Sequence, residues 1–270
     1  MSQETLELEG IQLEIDAGLA IIRLNDPDRL NALTTDMAAA LSQALQEIAK
    51  PRRAIRAVML TGAGRGFCAG VNLARRSNDA STSKNLPAMS LVETLFHPLI
   101  RKLRDIRVPV LAAVNGPCVG IGVSMVLLCD YVIASHEAYF LVPFRNLGSA
   151  PDSGLTWLLP RAVGVGRARQ MLMRAERIAA TQALEWGLAN EVVPAAEFQD
   201  RARQLADELA NGPTVALGVM RSLVFESIGR SFDNQLEMEA QGVAVTSRTK
   251  DNVAAMRVFG TKEKPEFTGT

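Results

Sequence analysis

The sequence predicts an α/β protein whose last part is helical. Up to Phe140, apolar runs of strand character alternate with segments that repeat apolar residues at helical spacing. After Phe140 helical segments dominate, and Val192-Val193 is the clearest remaining strand signal. A chain of 270 residues with 48% hydrophobic residues can bury the core of one large domain. We therefore expect an α/β core over residues 1–199 and a helical region over 200–270.

Local patterns define the elements of the first half. Residues 11–15 alternate in polarity, and the short Asp-Ala-Gly turn before the apolar run 19–24 predicts a hairpin. Thr34 or Thr35 is a suitable N-cap for the helix that follows. Further apolar runs predict strands at 56–60, 110–114 and 131–134. Helical spacing predicts helices at about 35–49, 91–106 and 122–128.

The second half consists mainly of predicted helices. Apolar spacing places them at 155–159, 166–173, 181–186, 196–210, 214–228, 232–245 and 252–259. A helical region at the end of a chain packs either on its own core or on a neighbouring subunit. In the first half, residues 75–85 are polar without periodicity, which predicts a mobile loop or the irregular start of a helix.

Charge and hydropathy exclude several classes of partner. The 29 basic residues balance the 29 acidic ones, and the pI is near 6.8. A nucleic-acid-binding protein normally carries a basic face, so we expect no nucleic-acid partner. No run reaches the roughly 18 apolar residues of a membrane span, so we expect no membrane partner. The start of the chain, Met1 to Glu4, is polar and acidic, unlike a targeting peptide, which predicts a cytoplasmic protein.

Common metal, nucleotide and nucleophile patterns do not fit this chain. Cys68, Cys118 and Cys129 have no metal-ligand spacing and are expected to be buried, reduced thiols, so no metal site is predicted. The glycines near residue 62 match neither a Walker loop nor a dinucleotide fingerprint. The two histidines, His97 and His136, are weak candidates for a catalytic base.

Two glycine-bearing turns are the most informative feature. Residues 62–73 follow the strand 56–60, and residues 115–122 follow the strand 110–114. Glycine permits sharp turns and lets a ligand approach backbone N–H groups closely. Two such turns from neighbouring strands can direct two N–H groups at one oxygen, which is the geometry of an oxyanion hole.

Several segments together give the chain a close resemblance to the crotonase family, also called the enoyl-CoA hydratase/isomerase family. They are residues 29–33, 66–73, 112–130, 147–161, 183–187 and 262–267. The resemblance implies a crotonase-like fold, in which a spiral of ββα turns is followed by a helical C-terminal region that forms trimers. It also implies a homotrimer, or a hexamer built as a dimer of trimers.

The resemblance further implies an acyl-CoA substrate. Coenzyme A is then part of the substrate, and no separate cofactor is expected. In the family, two backbone N–H groups polarise the thioester carbonyl, and they correspond here to Val71 and Gly120. Arg29 matches the position that meets the nucleotide end of CoA, while Lys262 and Phe259 correspond to contacts with phosphate and adenine. The remaining implied substrate contacts are Leu30, Ala32, Ala69, Gly70, Phe144 and Trp157.

The acidic residues discriminate between reactions. A family hydratase uses two glutamates, and their positions here hold Ser124 and Phe144. Neither side chain can exchange a proton at neutral pH, which argues against standard hydration. Asp152 matches the single carboxylate of the Δ3,Δ2-enoyl-CoA isomerase branch, where one group removes a proton from C2 and returns it at C4. We therefore predict an acyl-CoA isomerase with Asp152 as its catalytic acid and base.

Alternatives remain open from the sequence. Asp152 could instead cap the helix that starts near residue 155. The enzyme could be a hydratase with a displaced acid, or a hydrolase or dehalogenase in which Asp152 attacks carbon. A non-catalytic acyl-CoA-binding subunit is the alternative from another class. The family's run of three glycines is replaced by Gly120-Ile121-Gly122, which leaves the donor predicted at Gly120 in place.

Overall fold

A computed structural model describes residues 3–72 and 88–270, so the loop expected at 75–85 lies outside the described residues. The strands are β1 (Glu4–Leu8), β2 (Ile11–Asp16), β3 (Leu19–Leu24), β4 (Ala57–Gly62), β5 (Val110–Val114), β6 (Cys118–Val119), β7 (Tyr131–Ser135), β8 (Tyr139–Leu141), β9 (Ile178–Ala179) and β10 (Glu191–Val193). The first helices are α1 (Thr35–Ile48), α2 (Ala88–Leu91, continuing through the π-helical Val92–Phe96 into His97–Arg104) and α3 (Ile121–Leu127). The later helices are α4 (Leu155–Val163), α5 (Val165–Arg174), α6 (Ala180–Trp186), α7 (Phe198–Ala210), α8 (Thr214–Ser227), α9 (Phe232–Thr246) and α10 (Lys250–Val258).

The larger sheet positions the two glycine-bearing turns side by side. Its strand order is β1-β2-β3-β4-β5-β7-β10, with β1 to β3 antiparallel and β3 onward parallel. Met59 on β4 pairs with Leu111 on β5, so these two strands run in register and in the same direction. Because parallel strands end at the same edge of a sheet, the turns after β4 and β5 emerge next to each other.

Both faces of this sheet are buried. One face belongs to the main core, which includes the apolar side of α1, α2 and α3. The other face is covered by α7, where Phe198 and Leu205 pack against residues of β3, β4, β5 and β7. The predicted boundary between residues 199 and 200 falls inside α7, and this helix packs on the sheet with the core. The helices α8 to α10 follow it.

The structure confirms the predicted α/β class and most of the predicted elements. Thr34 caps α1, since its hydroxyl accepts a hydrogen bond from the Met37 N–H at 3.1 Å. Four strands were not predicted, among them the two-residue β6 in the second glycine-bearing turn. The edge strand β1 is polar, with Glu4 and Glu7 on it, while β8 and β9 have only three and two residues. Such short strands carry too little periodicity to be recognised locally.

The cysteines are free thiols, as predicted. Cys68 and Cys118 are fully buried and lie opposite each other in an isolated parallel bridge, while Cys129 is half-buried. Burial raises the pKa of the Cys68 thiol to about 11 and that of Cys118 well above its ordinary value. Both therefore stay protonated and unreactive near neutral pH. In the part of the chain that the structure describes, no three metal-ligating side chains cluster, and no helix is both long and apolar enough to cross a membrane.

A buried arginine attaches α8 to the core. Arg221 is 5% exposed, and its guanidinium donates to Asp130 Oδ1 at 2.5 Å. It also donates to backbone carbonyl groups at the ends of α2 and α3, those of Leu103, Arg104, Ile106 and Leu128. Asp130 in turn accepts a hydrogen bond from the Val110 N–H at 2.7 Å, at the start of β5. Asp130 therefore has a structural role, because it joins the start of β5 to the buried guanidinium of Arg221.

Candidate active site

The two glycine-bearing turns touch each other. The Phe67 and Cys68 N–H groups donate to the Pro117 carbonyl at 3.1 and 3.0 Å, and Val119 N–H donates to the Cys68 carbonyl at 2.8 Å. A Cβ atom added to Gly120 would lie 3.9 Å from the Gly70 Cα atom. Gly70 and Gly120 have φ angles of +91° and +55°, which glycine adopts with little strain. The sheet and the glycines thus bring the two segments expected to bind the carbonyl oxygen into direct contact.

Two asparagines hold the first turn in shape. Asn31 is fully buried, and its Nδ2 donates to the carbonyls of Ala63 and Gly66 at 3.0 and 2.7 Å. Its Oδ1 accepts from the Asp26 N–H at 2.8 Å. Asn115 donates from Nδ2 to the Gly64 and Gly66 carbonyls at 2.9 and 3.0 Å. These supporting roles were missed from the sequence because each amide binds a backbone segment far away along the chain.

We expect Asn31→Asp to destabilise the protein by about 1–3 kcal/mol or more. Aspartate keeps the size of the side chain, but it has no N–H groups to satisfy the carbonyls of Ala63 and Gly66 and places a carboxylate beside them. Asn211→Asp is the matched control, since Asn211 is exposed and donates to one carbonyl within its own helix end. Urea unfolding of both variants measures the loss in the free energy of unfolding. Equal losses for Asn31→Asp and Asn211→Asp would contradict the role of Asn31 in holding the first turn in shape.

The backbone around Val71 leaves its N–H directed away from the neighbouring segment. Leu33 forms a parallel bridge with Val71, and its hydrogen bonds run to the residues on either side. The Leu33 N–H donates to the Gly70 carbonyl at 2.7 Å, and the Asn72 N–H donates to the Leu33 carbonyl at 3.0 Å. In a parallel bridge of this kind the N–H of the bridged residue, here Val71, points away from the partner segment. Val71 therefore suits the role of donor that the sequence predicted.

The second predicted donor is already engaged. The Gly120 N–H donates to the Leu141 carbonyl on β8 at 3.0 Å. The helix α3 begins at the next residue, Ile121, and the first N–H groups of a helix have no partner within it. The amide available beside Gly120 is therefore that of Ile121. The sequence could not show this shift by one residue, because β8 itself was not predicted.

Asp152 lies immediately before α4, in a half-buried position. Within the described residues its carboxylate takes part in no hydrogen bond or ion pair. Gly154 occupies the N-cap position of α4 without a side-chain cap, and Asp152 contributes its backbone carbonyl to the Leu155 N–H at 3.0 Å. The side chain of Asp152 thus does not cap the helix. The helix that Asp152 precedes, α4, packs against α3, the helix that follows the second turn.

Several predicted substrate contacts lie in the same region. Leu30 accepts a backbone hydrogen bond from Ala69 at 2.9 Å, and Ala32 follows in the same turn. Phe144 begins a 3₁₀ turn directly after Pro143, whose Cδ atom would lie 4.0 Å from a Cβ on Gly120. Arg29 is exposed and pairs with Asp26 at 3.3 Å. Leu30, Ala32 and Phe144 therefore lie beside the two turns.

Three other predicted contacts lie elsewhere. Trp157 is 41% exposed, stacks with Arg161 at 4.1 Å, and lines a groove of about 510 Å³ together with α8 residues such as Met220. The structure therefore places Trp157 in a groove shared with α8, and its predicted contact with the substrate stays a prediction. Phe259 is 81% exposed after α10, and Lys262 is also exposed. Their contacts with CoA stay predictions.

Two buried hydroxyl groups were not predicted to matter. Ser124 Oγ on α3 and Ser153 Oγ beside Asp152 are each 1% exposed, and neither has a hydrogen-bond partner within the described residues. Ser153 also has a φ angle of +54°, which is uncommon for a residue with a side chain. Unpaired polar groups of this kind are rare inside proteins and often mark functional sites.

The chain is similar to known proteins over nearly its whole length. The family model "Enoyl-CoA hydratase/isomerase" matches residues 14–270. The chain is 37% identical to 1,2-epoxyphenylacetyl-CoA isomerase of Escherichia coli K12, over 97% of this chain and 99% of that protein. It is 31% identical to 4-chlorobenzoyl coenzyme A dehalogenase-2 of an Arthrobacter species, over 94% and 91%.

A solved structure shows the same fold. The crystal structure of an enoyl-CoA hydratase/isomerase from Cupriavidus metallidurans CH34 superimposes with a TM-score of 0.88 at 28% identity, covering 98% of both chains. Its agreement extends over the sheet, the two turns and the C-terminal helices. Together with the family match and the 37% identical relative, it shows that this chain belongs to the enoyl-CoA hydratase/isomerase family and has the crotonase fold.

Proposed function

We propose that this protein shifts the double bond of a 3-enoyl-CoA to give the conjugated 2-enoyl-CoA. The observation that carries the proposal is the unpaired, half-buried carboxylate of Asp152, placed directly before α4, the helix that packs against α3. Ser124 and Phe144 occupy the positions where a hydratase needs its two acids, so a single carboxylate remains for proton transfer. A double-bond shift needs one proton removed and the same number returned, which one carboxylate can accomplish.

In the proposed reaction the Asp152 carboxylate removes a proton from C2 of the 3-enoyl thioester. The electrons of that C–H bond form a double bond between C1 and C2, and negative charge develops on the thioester oxygen. The protonated Asp152 then returns the proton to C4 as the electrons move back, which leaves the double bond between C2 and C3. Atoms and charge balance without a redox partner, so the proposal includes no separate cofactor.

The backbone N–H groups of Val71 and Ile121 are the proposed donors to the thioester oxygen. Support comes from the backbone hydrogen bonds that join the two turns and from the engagement of the Gly120 N–H by the Leu141 carbonyl. Fixed backbone dipoles stabilise the developing oxyanion, and one such donor contributes on the order of 10²–10³ in rate. Arg29, Lys262 and Phe259 are proposed to contact the nucleotide part of CoA.

Incubation with matched substrates tests the reaction. With 3-hexenoyl-CoA we expect the ultraviolet absorbance of the conjugated 2-enoyl thioester to appear, with no net uptake of water. With 2-hexenoyl-CoA we expect little 3-hydroxyacyl-CoA by chromatography. Rapid formation of the hydroxy product would instead assign the protein as a hydratase. Tight binding of both compounds without turnover would assign it as a non-catalytic acyl-CoA-binding protein.

A second candidate reaction is rearrangement of an epoxide or displacement on the acyl group. The 37% identical relative is named for 1,2-epoxyphenylacetyl-CoA, and the 31% identical one for 4-chlorobenzoyl coenzyme A. Both names imply a bond change on a ring attached near the thioester. In that case Asp152 would act as an acid and base or attack a ring carbon. Assays with both thioesters distinguish these reactions from the double-bond shift.

The C-terminal helices support the proposal of a homotrimer or a dimer of trimers. Apolar side chains on α8, α9 and α10 are strongly exposed in the single chain, for example Met220 at 58%, Val243 at 66% and Met256 at 58%. Several large apolar side chains on consecutive helices are unusual on a free surface. Light scattering of the purified protein should give three or six times the chain mass of 29.1 kDa.

A further inference from the structure

We infer that Ser124 is a specificity-determining residue that donates a hydrogen bond to an oxygen on the acyl group, so that the substrates include acyl-CoA thioesters oxygenated near the thioester. The inference rests on the proposed acyl-CoA site and deepens it. Its starting point is the hydroxyl of Ser124, which is 1% exposed and unpaired within the described residues.

The usual local partner of this hydroxyl is occupied. A serine inside a helix commonly bonds to the carbonyl four residues earlier, which here is that of Gly120. That carbonyl already accepts the Val123 N–H at 3.0 Å and the Ser124 N–H at 3.4 Å. A carbonyl oxygen has two lone pairs, so little acceptor capacity remains for the side chain. The hydroxyl is therefore buried without a hydrogen bond that would compensate for its lost hydration.

The helix geometry directs this hydroxyl toward the two turns. Residues four apart lie on the same face of a helix, and side chains lean toward its N-terminal end. Ser124 thus shares a face with Gly120, where an added Cβ atom would lie 3.9 Å from the Gly70 Cα atom and 4.0 Å from the Pro143 Cδ atom. On this side of α3 the hydroxyl would be directed toward an acyl group whose thioester is held by the turns.

Chemistry then limits what the hydroxyl binds. A hydrocarbon acyl chain offers no acceptor, and covering a polar group with it would cost binding energy. A hydroxyl, ether, epoxide or carbonyl oxygen on the acyl group would accept the Ser124 proton. A neutral hydrogen bond of this kind tightens binding by roughly three- to tenfold relative to the hydrocarbon analogue. Ser124 therefore favours an oxygenated acyl group over a plain one.

Calorimetric titration with unreactive thioesters tests this inference. The probes are butyryl-CoA, 2-hydroxybutyryl-CoA and 3-hydroxybutyryl-CoA, and the measured quantity is the ratio of the butyryl Kd to each hydroxybutyryl Kd. We expect the intact protein to bind one hydroxy compound about three- to tenfold more tightly. In Ser124→Ala that ratio should fall to about one, while the Kd for butyryl-CoA changes less than about twofold.

Two variants control for indirect effects. Ser135→Ala removes another buried serine hydroxyl, on β7, and should keep the ratio of the intact protein. Ser124→Thr retains the hydroxyl and should also keep this ratio of Kd values. This variant separates the role of the hydroxyl from a general effect of substitution at this site. The inference is overturned if the intact protein shows no preference for either hydroxy compound, or if Ser124→Ala retains it.

The result is separable from the proposed reaction. If the preference depends on Ser124 but 3-hexenoyl-CoA is not isomerised, then the binding inference stands and the proposed double-bond shift fails. If isomerisation depends on Asp152 but the preference is missing, then the reaction stands and the role of Ser124 fails.

Discussion

Replacement of Asp152 by asparagine should lower the turnover of 3-hexenoyl-CoA by about 10²–10⁴-fold, the contribution of a positioned general acid and base. The amide has nearly the same size as the carboxylate but cannot accept the C2 proton. No fold-stabilising bond is lost, because the carboxylate has no hydrogen bond or ion pair within the described residues. Binding of a saturated acyl-CoA should therefore change little, so the loss appears in kcat rather than in KM.

Asp200→Asn is the matched control for this experiment. Asp200 is an exposed carboxylate in the first turn of α7, the helix that covers the opposite face of the sheet. We expect its turnover to stay within about twofold of the intact enzyme. If Asp152→Asn kept a similar rate, the carboxylate would not carry the proton, and another group would have to be sought at the site.

Replacement of Arg221 by methionine should lower the free energy of unfolding by about 3–5 kcal/mol. The guanidinium satisfies the Asp130 carboxylate and four backbone carbonyls, and methionine fills similar space without any N–H group. Burial already raises the pKa of Asp130, and Arg221 acts in the opposite direction. Removing the arginine leaves this carboxylate with less compensation, so the folded state loses more than a single hydrogen bond.

The matched control is Arg203→Met, which breaks a surface ion pair with Asp207 at 3.0 Å. Exposed pairs of this kind contribute about 0–1 kcal/mol, so this variant should unfold nearly like the intact protein. Urea unfolding of both variants gives the comparison. Similar losses for the two variants would mean that α8 is held mainly by its apolar contacts.

Asp130→Asn in the Arg221→Met background should recover part of the lost free energy of unfolding, because it removes the uncompensated charge.

Much of the site was predictable because its signals are local. Glycine at positions 70 and 120 permits positive φ angles, and the apolar runs before the turns indicate two neighbouring parallel strands. The type of each side chain at 124, 144 and 152 is fixed by the sequence, and these types argue for one acid in place of two. These inferences need no knowledge of distant contacts, since they depend on residue type, on spacing and, for positions 124, 144 and 152, on the resemblance to the family.

Other parts depended on pairings between distant residues. Which amide of the second turn is free depends on β8, whose Leu141 carbonyl takes the Gly120 N–H. The position of Trp157 depends on α8, which forms the other wall of its groove. Arg221 was not singled out, because its carboxylate partner lies 91 residues earlier in the chain.

The sequence by itself therefore determined the fold class, the resemblance to the family and the presence of a single candidate carboxylate, because strand and helix periodicity and residue chemistry are local properties. The tertiary structure alone decided which backbone N–H groups are already bonded, which hydroxyl groups are buried without partners, and where Trp157 lies. Those features depend on hydrogen bonds and burial between segments far apart in the chain, and such contacts exist only after the chain has folded.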